Sequence, residues 1–173
     1  GGKLYIKLEA LVSVLSLLAK RPVKISLTME EQFFTITKHA STFRIKSGVS
    51  KDGRILAREC EVWWNGGAYA DIGPRVTQKS GFTAPGPYDI ENISYELKGV
   101  LTNKTPVGAY RGAGRPEATY LLECAIDKVA HELDLDPAEV RRVNFIPPDK
   151  FPYKTPFGAN YDTGEYVKAL DKA

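Results

Sequence analysis

The chain has few of the residues that usually carry catalysis on their own. Its two histidines, His39 and His131, stand far apart and have no neighbour at metal-ligand spacing, which excludes a zinc-type cluster built from sequence-local ligands. The two cysteines, Cys60 and Cys124, lack the paired spacing of an iron–sulfur site and read as buried free thiols, a pattern that suits a reducing cytoplasm. No Gly-x-Ser-x-Gly elbow occurs, so a serine hydrolase has no nucleophile motif to use. The longest apolar run, Leu11 to Ala19, is short and broken by Ser13 and Ser16, so no segment reads as a membrane span. With 24 basic and 21 acidic residues, the net charge of +3 is too small and too scattered to argue for nucleic acid or a membrane surface.

What is present is a folded-domain composition. A hydrophobic content of 43% over 173 residues is enough for a real core, and without a linker, repeat or low-complexity stretch the sequence reads as a single domain over residues 1–173. Leu8, Leu11, Val12, Leu15 and Leu18 fall at helical spacing and predict a helix near 7 to 20, closed by Arg21-Pro22. Val23, Ile25 and Leu27 alternate with polar residues and predict a half-buried strand. The run from Thr42 to Gly48 alternates again, and Lys51-Asp52-Gly53 supplies a hairpin turn into a second run ending at Trp64. Ile93, Tyr95 and Leu97 continue a period of two toward Leu101. The stripe Ala118, Leu121, Leu122, Ala125, Ile126, Val129 and Leu133 predicts a long buried-face helix. Asp136 is placed to cap another helix, with Glu139 as its return partner, and a last short helix is expected around Thr163 to Leu170 after an ordered proline-rich loop. The fold class is α+β, a mixed sheet with flanking helices.

The stretch Gly108-Ala109-Tyr110-Arg111-Gly112-Ala113-Gly114-Arg115-Pro116-Glu117 is the most informative in the chain. Gly112 and Gly114 can take positive φ and let backbone N–H groups approach a ligand. Pro116 suits the first turn of the following helix, whose positive end favours an oxo or phosphate group, with Arg111 and Arg115 adding charge. Glycine spacing alone is equally served by a tight turn capping a core helix. Asp71 and Glu117 flank the glycine segments as a conceivable acid/base pair, but the helix dipole accounts for Glu117. A Rossmann reading fails, because the acid at the required distance, Asp136, caps a helix with no second strand before it.

The letters around these glycines resemble the cofactor loop in the molybdenum subunit of the xanthine dehydrogenase and aldehyde oxidase family. Gly1-Gly2-Lys3 is similar to the tail of that family's Gly-Gly-x-Gly-Gly-Lys loop, and Asn65-Gly66-Gly67-Ala68-Tyr69-Ala70-Asp71-Ile72-Gly73-Pro74 resembles its middle segment. The chain then reads as a piece of the first molybdopterin-binding domain of a longer subunit. The resemblance implies a cofactor of molybdenum and molybdopterin, with iron–sulfur and FAD partners accepting electrons. The substrate it implies is an aldehyde or N-heterocycle, hydroxylated with oxygen taken from water. Cofactor contacts carried over residue by residue are Gly1, Gly2, Tyr110, Arg111, Gly112 and Ala113. Ala113 and Lys79 fall on substrate-pocket positions. Ala113 stands where many members carry a stacking aromatic ring, which implies a wider pocket. Lys79 stands where purine-oxidising members place an arginine, so its point charge weakens purine recognition. Gly112 occupies the place of the copper-binding cysteine in the carbon monoxide dehydrogenases of the family, which disfavours that activity. The family's base, a late glutamate, lies beyond this chain, so no catalytic residue is expected within it. In isolation the chain is expected to be inactive and not to retain the cofactor. The rival reading is a non-catalytic scaffold or subunit-contact module that kept the fold.

Overall fold

The computed structural model describes residues 8–173. Their contacts divide the chain into two compact units, Gly1–Thr35 and Ile36–Ala173, although the sequence shows no linker between them.

In the first unit, helix α1 spans Glu9–Ala19 and ends at Lys20 in the left-handed conformation. The expected strand at Val23 to Leu27 does not form. These residues keep an alternation of half-buried and exposed positions but have no partner strand among the described residues, and a strand needs its hydrogen-bonded neighbour to be one. Helix α2, Met29–Thr35, follows. Thr28 and Glu31 exchange reciprocal bonds at its start: the Glu31 amide donates to Thr28 Oγ1 at 3.2 Å, and the Thr28 amide to Glu31 Oε2 at 2.8 Å. That capping box supplies an N-terminus that apolar periodicity did not reveal.

The second unit is built on a three-stranded sheet. Strand β1, Ser41–Val49, pairs antiparallel with β2, Ile55–Gly67, through the turn expected at Lys51-Asp52-Gly53. Strand β3, Asn92–Leu101, lies parallel to β2, with Trp64 opposite Gly99. A parallel neighbour requires a crossover, and the crossover carries helix α3, Gly73–Phe82. Periodicity gave no hint of α3, because its buried face is made of Gly73, Val76, Ser80 and Gly81. These small residues bring it onto β3 so closely that a Cβ at Gly81 would lie 2.5 Å from Leu97.

Helix α4, Arg115–Leu133, presents the expected stripe, with Ala118, Leu122, Ala125, Ile126 and Ala130 buried. Ile126 packs with Ile55, Tyr88, Ile90 and Val140 in one core cluster, and Cys60, Val62, Trp64 and Val76 form a second one beneath α3. Fully burying each large aliphatic side chain contributes about 2 kcal/mol. Helix α5, Pro137–Asn144, is capped by Asp136, which accepts from the Ala138 and Glu139 amides at 2.7 and 3.1 Å. The return bond from Glu139 is absent because that carboxylate pairs with Arg142 at 3.2 Å. Asn144, fully buried, fastens α5 to the β1–β2 turn. It accepts from the Ile55 amide at 2.8 Å and donates to Gly53 O and Val140 O, each at 2.8 Å. A two-stranded pair, β4 at Tyr153–Lys154 and β5 at Asn160–Tyr161, lies inside the expected ordered loop, and helix α6 spans Tyr166–Lys172. Among the described residues no helix is long and apolar enough to cross a membrane.

Candidate functional site

The chain leaves β3, turns back along the segment before β1, and enters α4 through the glycine-rich stretch. Three consecutive residues there have positive φ, with Gly112 at 94°, Ala113 at 49° and Gly114 at 92°. A left-handed run of this kind turns successive amides outward instead of continuing a helix. The Ala113 amide donates to Tyr110 O and the Arg115 amide to Gly112 O, each at 3.2 Å, which closes the turn on itself. Among the described residues no hydrogen bond engages the amides of Arg111 and Gly112, and both residues are exposed. Gly114 is buried, and a Cβ on it would lie 2.5 Å from Val76 O and 3.2 Å from Ser80 Cβ. The turn therefore rests directly on α3.

Of the residues proposed for the cofactor, Gly1 and Gly2 lie outside the described residues. Tyr110 is 61% exposed, and Arg111 and Gly112 share its open surface. Ala113 is half-buried and packs against the cluster of Trp64 and Val76. Lys79 is exposed in the last turn of α3, next in sequence to the Ser80 that meets Gly114. The fold thus gathers Tyr110, Arg111, Gly112 and Ala113 into one turn and sets α3 beneath it. Amides unengaged among the described residues, the positive end of a 19-residue helix, and the cations Arg111 and Arg115 form a donor set suited to an oxyanion or a metal-oxo group.

Behind the turn lies a polar cluster whose members give no sign of one another in the sequence. His39 is 7% exposed, stands edge-on to Trp64 with ring centroids 5.1 Å apart, and leaves Nε2 without a partner among the described residues. Glu117 pairs with Lys38 at 3.3 Å through Oε1, while its Oε2 is buried and has no partner among the described residues. Burial holds the His39 imidazole below its ordinary value, against an opposing pull from Glu117, and Lys38 adds to the lowering. Lys38-His39 and Glu117 are remote in sequence, so only the fold could reveal the pairing. Cys60 is buried as expected, its thiol pushed up to about 11 mainly by desolvation. Cys124 departs from expectation: it lies on the outer face of α4 and is exposed.

A mixed sheet flanked by helices, with a glycine-rich turn opening onto a long helix, defines a cofactor-binding module. The chain belongs to the molybdopterin cofactor-binding domain family, which it matches over residues 1–145. It is 35% identical to the nicotinate dehydrogenase large molybdopterin subunit of Eubacterium barkeri, over 83% of this chain and 34% of that subunit. It is 34% identical to a probable xanthine dehydrogenase subunit of Bacillus subtilis, over 100% of this chain and 24% of that one. Among solved structures it resembles aldehyde oxidoreductase from Desulfovibrio gigas with a TM-score of 0.85 and 28% identity, over 97% of this chain and 18% of that one. The chain spans about a third or less of the length of these relatives.

Proposed function

We propose that this chain forms part of the molybdenum subunit of a hydroxylase. In this reading the turn Tyr110-Arg111-Gly112-Ala113, with Gly1 and Gly2, holds the molybdenum–molybdopterin cofactor, and Ala113 and Lys79 line the substrate pocket. The observation that carries it is the turn at the head of α4, where Arg111 and Gly112 are exposed and their amides are unengaged among the described residues. When bound, the molybdenum cofactor supplies two-electron oxidation of a carbon with oxygen drawn from water. The chain's own residues bind and orient. The Arg111 and Gly112 amides offer donors fixed by the turn, so no reorganisation is needed when charge develops beside them. The guanidinium of Arg111 adds long-range attraction for an anionic group.

The substrate class is an aldehyde or N-heterocycle, supported by relatives named for nicotinate and xanthine. The small side chain at Ala113 leaves room for a ring, and Lys79 offers one cation to orient it. Carbon monoxide dehydrogenase large chains are also relatives, but Gly112 supplies no thiolate to hold copper, so this chain is assigned to the copper-free branch. Iron–sulfur and flavin subunits or domains, together with the remainder of the molybdenum subunit, complete the assembly. The test is Gly112→Val in that subunit, read as pterin and molybdenum bound per polypeptide. Loss of both with the fold retained supports a cofactor loop. Full retention assigns the turn to scaffolding.

A further inference from the structure

The glycine-rich turn makes few bonds of its own, yet it is held at three points by one short segment. Thr37 bridges Val107 in parallel fashion: its amide donates to Pro106 O and its carbonyl accepts from the Gly108 amide, each at 3.0 Å. These bonds fix the backbone leading into the turn. Ile36 packs so tightly there that a Cβ on Gly108 would lie 2.1 Å from its Cδ1. The next residue after Thr37, Lys38, then reaches over the turn itself. Its ammonium lies 5.7 Å from the ring centroid of Tyr110, at the start of the turn, and 3.3 Å from Glu117 Oε1, just past its end. His39 follows, buried against Trp64.

We propose that Lys38 is the positioning residue of the glycine-rich turn, a clasp that fixes its entry through Tyr110 and its exit through Glu117. The chemistry favours this over an incidental surface pair. The Glu117 side chain is only 10% exposed and one of its oxygens has no partner among the described residues. The Lys38 side chain is 43% exposed, so the pair is buried only on the carboxylate side, and removing the cation leaves a poorly solvated carboxylate without its counter-charge. The carboxylate then has to swing toward water, and the first turn of α4 and the glycine residues before it move with it. Among the described residues Lys38 bonds to neither the Arg111 nor the Gly112 amide, and it meets the proposed cofactor residues only at the Tyr110 ring, so it acts through the turn. The consequence for cofactor affinity rests on the cofactor-loop reading, but the clasp itself does not.

The test is hydrogen–deuterium exchange of the intact subunit, read in peptides covering residues 105–115, where the Gly108, Ala113 and Arg115 amides are hydrogen-bonded. Lys38→Met is expected to speed exchange there about tenfold while a peptide from β2 is unchanged. Lys38→Arg restores slow exchange. The double variant Lys38→Met with Glu117→Gln exchanges within about threefold of the parent, because the stranded charge is gone. Unchanged exchange in Lys38→Met, equal acceleration in β2, or no relief in the double variant would each overturn the proposal. Pterin released from the same samples separates the two readings. If the turn loosens in Lys38→Met while pterin content stays whole, the clasp stands and the cofactor-loop reading fails.

Discussion

Replacing Gly114 by alanine should be among the most damaging single changes in the chain, although it adds only one carbon. Two effects combine at this position. The backbone is at φ 92°, where an L-residue loses roughly 1–2 kcal/mol through contact of its Cβ with the neighbouring carbonyl. The new Cβ would also sit 2.5 Å from the Val76 carbonyl oxygen, with Ser80 Cβ at 3.2 Å and the Ser80 amide nitrogen at 3.3 Å. These are atoms of the α3 backbone or fixed to it, so relief means moving α3 off the sheet, and overpacking of this kind costs about 1–3 kcal/mol more. The sum is about 2–5 kcal/mol. Gly99→Ala is the control, because nothing lies within 4 Å of a Cβ there and its φ is outside the positive range. It should shift stability by less than about 1 kcal/mol, as exposed substitutions do. Urea denaturation of the two variants, followed by tryptophan emission from buried Trp64, measures the difference. A Gly114→Ala variant within about 0.5 kcal/mol of the parent would refute the close seating of the turn on α3.

Other consequences can be checked as directly. Asn144→Ala strands the Ile55 amide and the Gly53 carbonyl in the core and should cost about 2–4 kcal/mol by denaturation. Asn144→Asp should not rescue it, because a carboxylate cannot donate to Gly53 O. His39 has a folded-state pKa below its ordinary value, so the unfolded chain binds the additional proton as pH falls. Stability should therefore decline as pH drops through the ordinary imidazole value near ~6.5 and toward the lower folded value. Denaturation of His39→Gln across the same range should show a shallower decline, and an unchanged slope would refute the assignment. At a mildly alkaline pH a maleimide should label exposed Cys124 and spare Cys60, whose thiol is buried and pushed up to about 11. Equal labelling of the two in the folded state would contradict that burial.

The elements legible in the sequence were those that carry their own punctuation. The Lys51-Asp52-Gly53 turn announced the β1–β2 hairpin, and the α4 stripe announced a helix that buries one face. The Val23 to Leu27 run shows the opposite case: its alternation was real, and its burial still alternates, but pairing depends on a neighbour that the run itself does not specify. Helix α3 was silent because small residues, not an apolar stripe, seat it on β3. The candidate turn was legible through Gly112, Gly114 and Pro116, down to the positive φ at both glycines. Its support was not. Lys38 meets Glu117 beside a segment whose Thr37 is laced to Val107, a long-range pairing that periodicity cannot encode.

The central claim is that the turn at the head of α4 belongs to a molybdenum–pterin site. The most direct measurement is molybdenum by elemental mass spectrometry on the intact native gene product, isolated with the subunits that accompany it. Close to one molybdenum per polypeptide carrying this chain is expected. A complete, folded assembly with no molybdenum would contradict it and leave the glycine-rich turn as architecture alone.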